Sequence, residues 1–139
     1  MNHRLPVFAA ALWWGSLSAI GFMAVPMLFA NLPQASMAGF MAAKLFAAQT
    51  WVSLACGLAL LVVAKDKASN TIQPWARAAL GFVLAGMLMA LVVQYGVSPK
   101  IVQRENLRFW HGLGTLLYAL QWLCAAVVLW RTSAPPSRA

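Results

Sequence analysis

LPVFAAALWWGSLSAIGFMAVPMLFA, residues 5–30, decides the fold: no Asp, Glu, Lys or Arg interrupts it. The stretch outlasts the roughly 7–15-residue apolar segment of a cleaved signal peptide. It exceeds the roughly 20 residues that carry a helix across about 30 Å of hydrocarbon. We read it as an uncleaved first transmembrane helix, preceded by His3 and Arg4. Pro26 lacks a donor and crowds the preceding turn, so it is expected to kink or end the helix. Asn31, Leu32, Pro33 and Gln34 make the turn that follows.

Three further apolar runs continue the pattern. The second carries one charge, Lys44, and is followed by the polar loop Lys65, Asp66, Lys67, Ala68, Ser69 and Asn70. The third has Pro74 at its entry, where proline suits a helix start, and Pro99 at its close. The charged segment from Lys100 to Arg108 is expected to be an interfacial helix leading into the fourth run. The expected fold is all-α: one polytopic membrane domain, residues 1–131, with four transmembrane helices in a compact bundle at about 5–30, 38–64, 75–98 and 109–130. A disordered tail, residues 132–139, holds Pro135 and Pro136.

Composition agrees. Hydrophobic residues make up 63% of the 139, against about 45–50% apolar in soluble domains. Ten basic residues face two acidic ones, a net charge of +8. The basic residues sit at the ends of the apolar runs and form no dense cluster, which points to lipid headgroups and excludes nucleic acid. Cys56 and Cys124 lie deep in apolar runs without CxxC spacing and read as small buried hydrophobes. With four crossings, Arg4, Lys65, Lys67, Arg77, Arg131 and Arg138 share one side, against Lys44, Lys100, Arg104 and Arg108 on the other. That excess predicts a multi-pass inner-membrane protein with both termini in the cytoplasm.

Polar side chains inside lipid are costly and often functional. They gather here toward the non-cytoplasmic half. Lys44 and Gln49 lie in the second run, Gln94 and Tyr95 near the end of the third, and Glu105, Arg108, His111 and Thr115 around the start of the fourth. These eight are the candidate pocket. The other half holds Ser16, Ser18, Gln121 and the two thiols. Helical spacing aligns His111, Thr115, Tyr118 and Trp122 on one face, and Gln49, Ser53 and Cys56 on another. Lys100, Arg104 and Arg108 make a basic stripe, and Glu105 falls three residues before Arg108, within helix-surface reach.

Lys44 has two readings: its stem snorkels to the headgroups, or it enters the pocket, where Glu105 is the one acid on its side. His111 either bonds a carbonyl at the interface or acts as a haem or metal ligand or a proton carrier. The other histidine, His3, lies across the membrane, which disfavours haem within one chain. Met23 with Met27, and Met37 with Met41, have helical spacing and thioethers suited to soft cations, although such methionines commonly serve packing. No carboxylate pair, nucleophile elbow, zinc spacing or phosphate loop occurs, so neither an enzyme nor a resident cofactor is expected.

Trp14-Gly15, Gly21-Phe22, Pro26, Leu28-Phe29, Leu32-Pro33, Gly39 and Lys44-Leu45-Phe46 together resemble the transmembrane-protein-205-like family, domain of unknown function 4149. Arg104, Arg108, Phe109 and His111-Gly112-Leu113 are similar to that family's second signature. The resemblance implies a small membrane protein, and its eukaryotic namesake's association with platinum-drug resistance implies transport or trafficking of soft-metal compounds. The first helix also faintly resembles that of copper-resistance-D-type and haem-synthesis membrane oxidase proteins. Met27 stands where those have arginine, however, and the histidine before their Trp-x-Gly element is missing. The function expected is transport or permeation of an ion or small solute through a homo-oligomer in contact with membrane lipids. The alternatives are a haem- or soft-metal-binding redox protein using His111, and a non-catalytic membrane partner or lipid-binding assembly protein.

Overall fold

The computed structural model describes residues 4–135. Among them are four long helices: α1 (Arg4–Asn31), α2 (Ala35–Val63), α3 (Pro74–Val102) and α4 (Leu107–Ser133). At 1.5 Å per residue each is about 40 Å long, longer than the hydrocarbon core it has to cross. Each is apolar around its whole circumference, so no amphipathic stripe distinguishes inside from outside. Ala10, Trp13 and Leu17 of α1, Ala79, Val83 and Gly86 of α3, and Ala125 and Val128 of α4 turn inward at helical spacing. Phe8, Trp51, Leu88 and Trp130 project outward, as lipid-facing residues do.

The helices run up and down in chain order. Consecutive helices pack against each other, and α1 closes the ring against α4. Side chains bridge the diagonals. Trp13 of α1 is fully buried over Gly86 of α3, where an added Cβ would lie 2.6 Å from the indole. Gln121 of α4 donates to Ser53 Oγ of α2 at 2.8 Å. A small residue on one helix thus admits a large one from the opposite helix, the kind of close fit that holds membrane helices together when lipid is as apolar as the core.

Helix α1 passes Pro26 and runs to Asn31, close to its expected end at residue 30, whereas Pro99, expected to close the third helix, does not end α3. Each helix instead widens into a π-bulge, Ile20–Ala24 in α1 and Val93–Val97 in α3. Both bulges finish two residues before the proline. A proline cannot donate to the preceding turn and its ring crowds the carbonyl there. One extra residue in that turn relieves the crowding while the helix continues.

The segment from Lys100 to Arg108 is not one interfacial helix either. Helix α3 runs on to Val102, and a turn follows in which Arg104 (φ 56°) and Asn106 (φ 36°) are left-handed. Lys100, Arg104 and Arg108 therefore form no stripe. Glu105, expected beside Arg108, pairs with Lys100 across the turn at 2.8 Å. At the other end of the chain α4 continues through Thr132 and Ser133, where the tail was expected to begin. Residues 136–139 of that tail lie outside the described residues.

Candidate functional site

The eight residues expected to line a pocket separate into two groups. Lys44 is exposed on α2. A helical Cβ tilts toward the helix N-terminus, and the Lys44 stem follows it back one turn, placing Nζ 4.6 Å over the Phe40 ring. The ammonium thus moves toward the end of α2 at Ala35, in a snorkelling geometry. Tyr95 projects outward from the α3 bulge, and Gln94 beside it is half-buried. Glu105, Arg108, His111 and Thr115 are exposed. Thr115 Oγ1 donates to the His111 carbonyl at 2.9 Å, and Glu105 is held by Lys100 rather than by Lys44. Within one chain, then, no hydrogen bond or ion pair joins Lys44, Gln94, Glu105 and His111 among the described residues. Of the eight, Gln49 alone enters the interior, where it is 2% exposed.

Gln49 stands at the middle of α2, and a neutral polar seam surrounds it. Its Nε2 donates to Ser16 Oγ of α1 at 2.9 Å and to Ser53 Oγ at 3.3 Å. Ser53 also accepts from Gln121 of α4, so three helices meet at two serine hydroxyls. The expected face Gln49, Ser53 and Cys56 is buried throughout and supplies this seam. Gln121 and Ser16, which belong to the half judged poor in polar groups, complete it. Each lies near the middle of its helix, far from either helix end, where a polar group depends most on a protein partner.

One turn away, α4 is tied to the α1 bulge. In a regular helix the Leu17 carbonyl would accept from the Gly21 N–H. In the bulge the bonding passes to wider spacing, with the Val25 N–H on the Ile20 carbonyl. The Tyr118 hydroxyl donates to Leu17 O at 2.7 Å. Gly21 makes room for that ring, since a Cβ there would lie 2.6 Å from Tyr118 Cε1. Trp122 Nε1 donates to Ser18 Oγ at 2.8 Å, and its ring lies 5.7 Å from those of both Trp14 and Phe22. The expected face His111, Thr115, Tyr118 and Trp122 therefore divides: its first two members are exposed and its last two are packed against α1.

Between α2, α3 and α4 lies a cavity of about 10 Å³, bordered by Gln49, Thr50, Ala90, Val93, Tyr118 and Gln121. A shallow apolar groove of about 330 Å³ runs outside, between Leu5, Phe8 and Leu12 of α1 and Ala55 and Ala59 of α2. Both thiols are buried and unpaired. Among the described residues no three of His, Cys, Asp and Glu gather as a metal-binding group.

No curated protein and no solved structure matches this chain. The family comparison matches residues 8–110, from the first helix to the start of α4, taking in Ser16, Lys44, Gln49, Ser53 and both bulges. Tyr118, Gln121 and Trp122 fall beyond the matched span. That span covers most of the sequence, and the chain belongs to the family described as Domain of unknown function (DUF4149).

Proposed function

We propose that this protein is a subunit of an oligomeric inner-membrane assembly that passes an ion or small solute and performs no chemical conversion of its own. The observation that carries the reading is the contrast between a filled interior and an outward-facing polar rim. Between α2, α3 and α4 the interior leaves a cavity of about 10 Å³. Outside, Lys44, Tyr95, Arg108, His111 and Thr115 face away from the chain's own core. A path lined by these residues requires a second copy to close it, and polar groups near lipid are better accommodated at such an interface than in hydrocarbon. The surplus of Lys and Arg at the end holding Arg4, Lys65, Lys67, Arg77 and Arg131 supports a reading with both termini in the cytoplasm and the rim on the other face.

Flux of Na⁺, K⁺ or protons into sealed vesicles, followed with ion-sensitive dyes, tests the proposal. Lys44→Met is expected to lower that flux while expression and bundle stability stay unchanged. A Thr115→Cys variant should cross-link between copies under mild oxidation. Assembly without any flux would favour the membrane-partner reading instead. A chain that neither cross-links nor conducts would remove both the oligomer and the pathway.

A further inference from the structure

The two bulges differ in how the turn ahead of them is completed. Leu17, three residues before the α1 bulge, has its carbonyl bound by the Tyr118 hydroxyl. Ala90 holds the same place before the α3 bulge, and no side-chain hydroxyl among the described residues bonds its carbonyl. The Val93 N–H is instead shared between the Met89 and Ala90 carbonyls. Ala90 borders the cavity of about 10 Å³, and so does Gln49. Gln49 Oε1 is buried and has no hydrogen-bond partner. Exchanging the amide oxygen and nitrogen does not remove the difficulty. Ser16 and Ser53 occupy one end of the amide, so the other end stays unpaired whichever atom it is.

From these observations we infer that the cavity is a binding site for one water molecule at the bilayer midplane, held chiefly by Gln49. Its size matches a single water. Its walls supply the partners a buried water takes, about three in number. One water hydrogen goes to Gln49 Oε1. Thr50 Oγ1 has committed its own hydrogen to the Phe46 carbonyl at 3.0 Å and keeps lone pairs for the second. Gln121 Nε2 uses one hydrogen on Ser53 and has another to donate to the water. The water links α2 and α4 beside the bulged turn of α3, as Tyr118 links α4 to the bulged turn of α1. The site stands apart from the outward rim and does not depend on oligomer formation or flux.

The test uses the full chain in phosphatidylcholine bilayers with ¹⁵N-labelled glutamine side chains and tryptophan indoles, and reads magnetisation transfer from water by solid-state NMR. Cross-peaks are expected at the side-chain amides of Gln49 and Gln121. Ala90→Leu, which fills the space, should abolish both. A retained Trp122 indole N–H shift would show that the bundle is intact. If that variant does not fold, Gln49→Leu should remove the Gln121 cross-peak in its place. Absence of both cross-peaks in the unaltered protein, or their persistence when Ala90→Leu folds, would overturn the site. So would a shift of the Gln49 amide on replacing choline chloride with NaCl, because a cation would then be the occupant.

Discussion

The rim and the midplane seam of this bundle invert the usual relation between charge and structure. The rim holds two lysines, a histidine, an acid and two arginines, yet its contacts are local: Lys44 on Phe40, Lys100 on Glu105, Thr115 on a carbonyl one turn back. The seam holds no charge, yet Gln49, Ser53 and Gln121 connect three helices with Ser16, and Tyr118 and Trp122 fasten α4 to α1. In water a charged cluster advertises itself as a site. In lipid a charge first has to find a polar surrounding, which draws it to the rim, whereas a neutral amide or hydroxyl can stay inside once it has a partner. The rim is thus free to serve function, and the seam specifies packing.

The largest effect should come from disturbing the interior around the seam. Gly86→Ala would place a methyl 2.6 Å from the fully buried Trp13 indole, and overpacking of this kind costs about 1–3 kcal/mol. Gly81→Ala, on the same helix with nothing within 4 Å of the added Cβ, should instead be neutral or stabilise by up to about 1 kcal/mol. Unfolding by SDS in mixed micelles would compare the two. Equal behaviour would mean that the Trp13–Gly86 fit is not a constraint.

Hydrogen bonds of the seam come next. Gln121→Leu removes the α4 donor to Ser53 and should destabilise by about 1–2 kcal/mol, the upper range for interhelical bonds in membranes. Tyr118→Phe keeps the ring against Phe46 and Gly21 but leaves the Leu17 carbonyl without its donor. A loss of about 1 kcal/mol is expected, together with faster amide exchange confined to Ile20–Ala24. If exchange rises equally in the α3 bulge, the two bulges are coupled and the hydroxyl is no local cap.

Much of the fold was legible because lipid leaves the backbone few options: four long apolar runs have to be four helices. The runs did not show how a helix passes a proline. Pro26 read as a kink or an end and Pro99 as a stop, and the π-bulge at Pro26 sits against Gly21 and Tyr118, neighbours that only packing brings together. The candidate site was legible in its charges alone. Lys44 and His111 stand out since such residues are rare in apolar runs, while Ser16 and Gln121 look idle until tertiary packing sets them beside Ser53 and Gln49. Helical spacing joined His111 to Trp122, but only packing decides where along α4 the buried face begins.

The smallest effect tests the rim itself. Lys100 and Glu105 are about half exposed, and the turn between them contains the left-handed Arg104. An exposed ion pair contributes about 0–1 kcal/mol, since solvent screens it and two long side chains lose freedom to form it. Glu105→Gln should therefore leave unfolding in SDS within about 0.5 kcal/mol of the unaltered protein, even though it removes one of only two acids in the chain. What it should change is the local charge. With Lys100 no longer balanced, the rim gains one net positive charge, and anions or cations approaching His111 and Arg108 meet a different field. A change in vesicle flux with stability preserved would assign Glu105 to the rim's function. A drop in stability as large as that of Gln121→Leu would show that the Lys100–Glu105 turn braces the α3–α4 connection, and the division between a working rim and a packing seam would fail at that point.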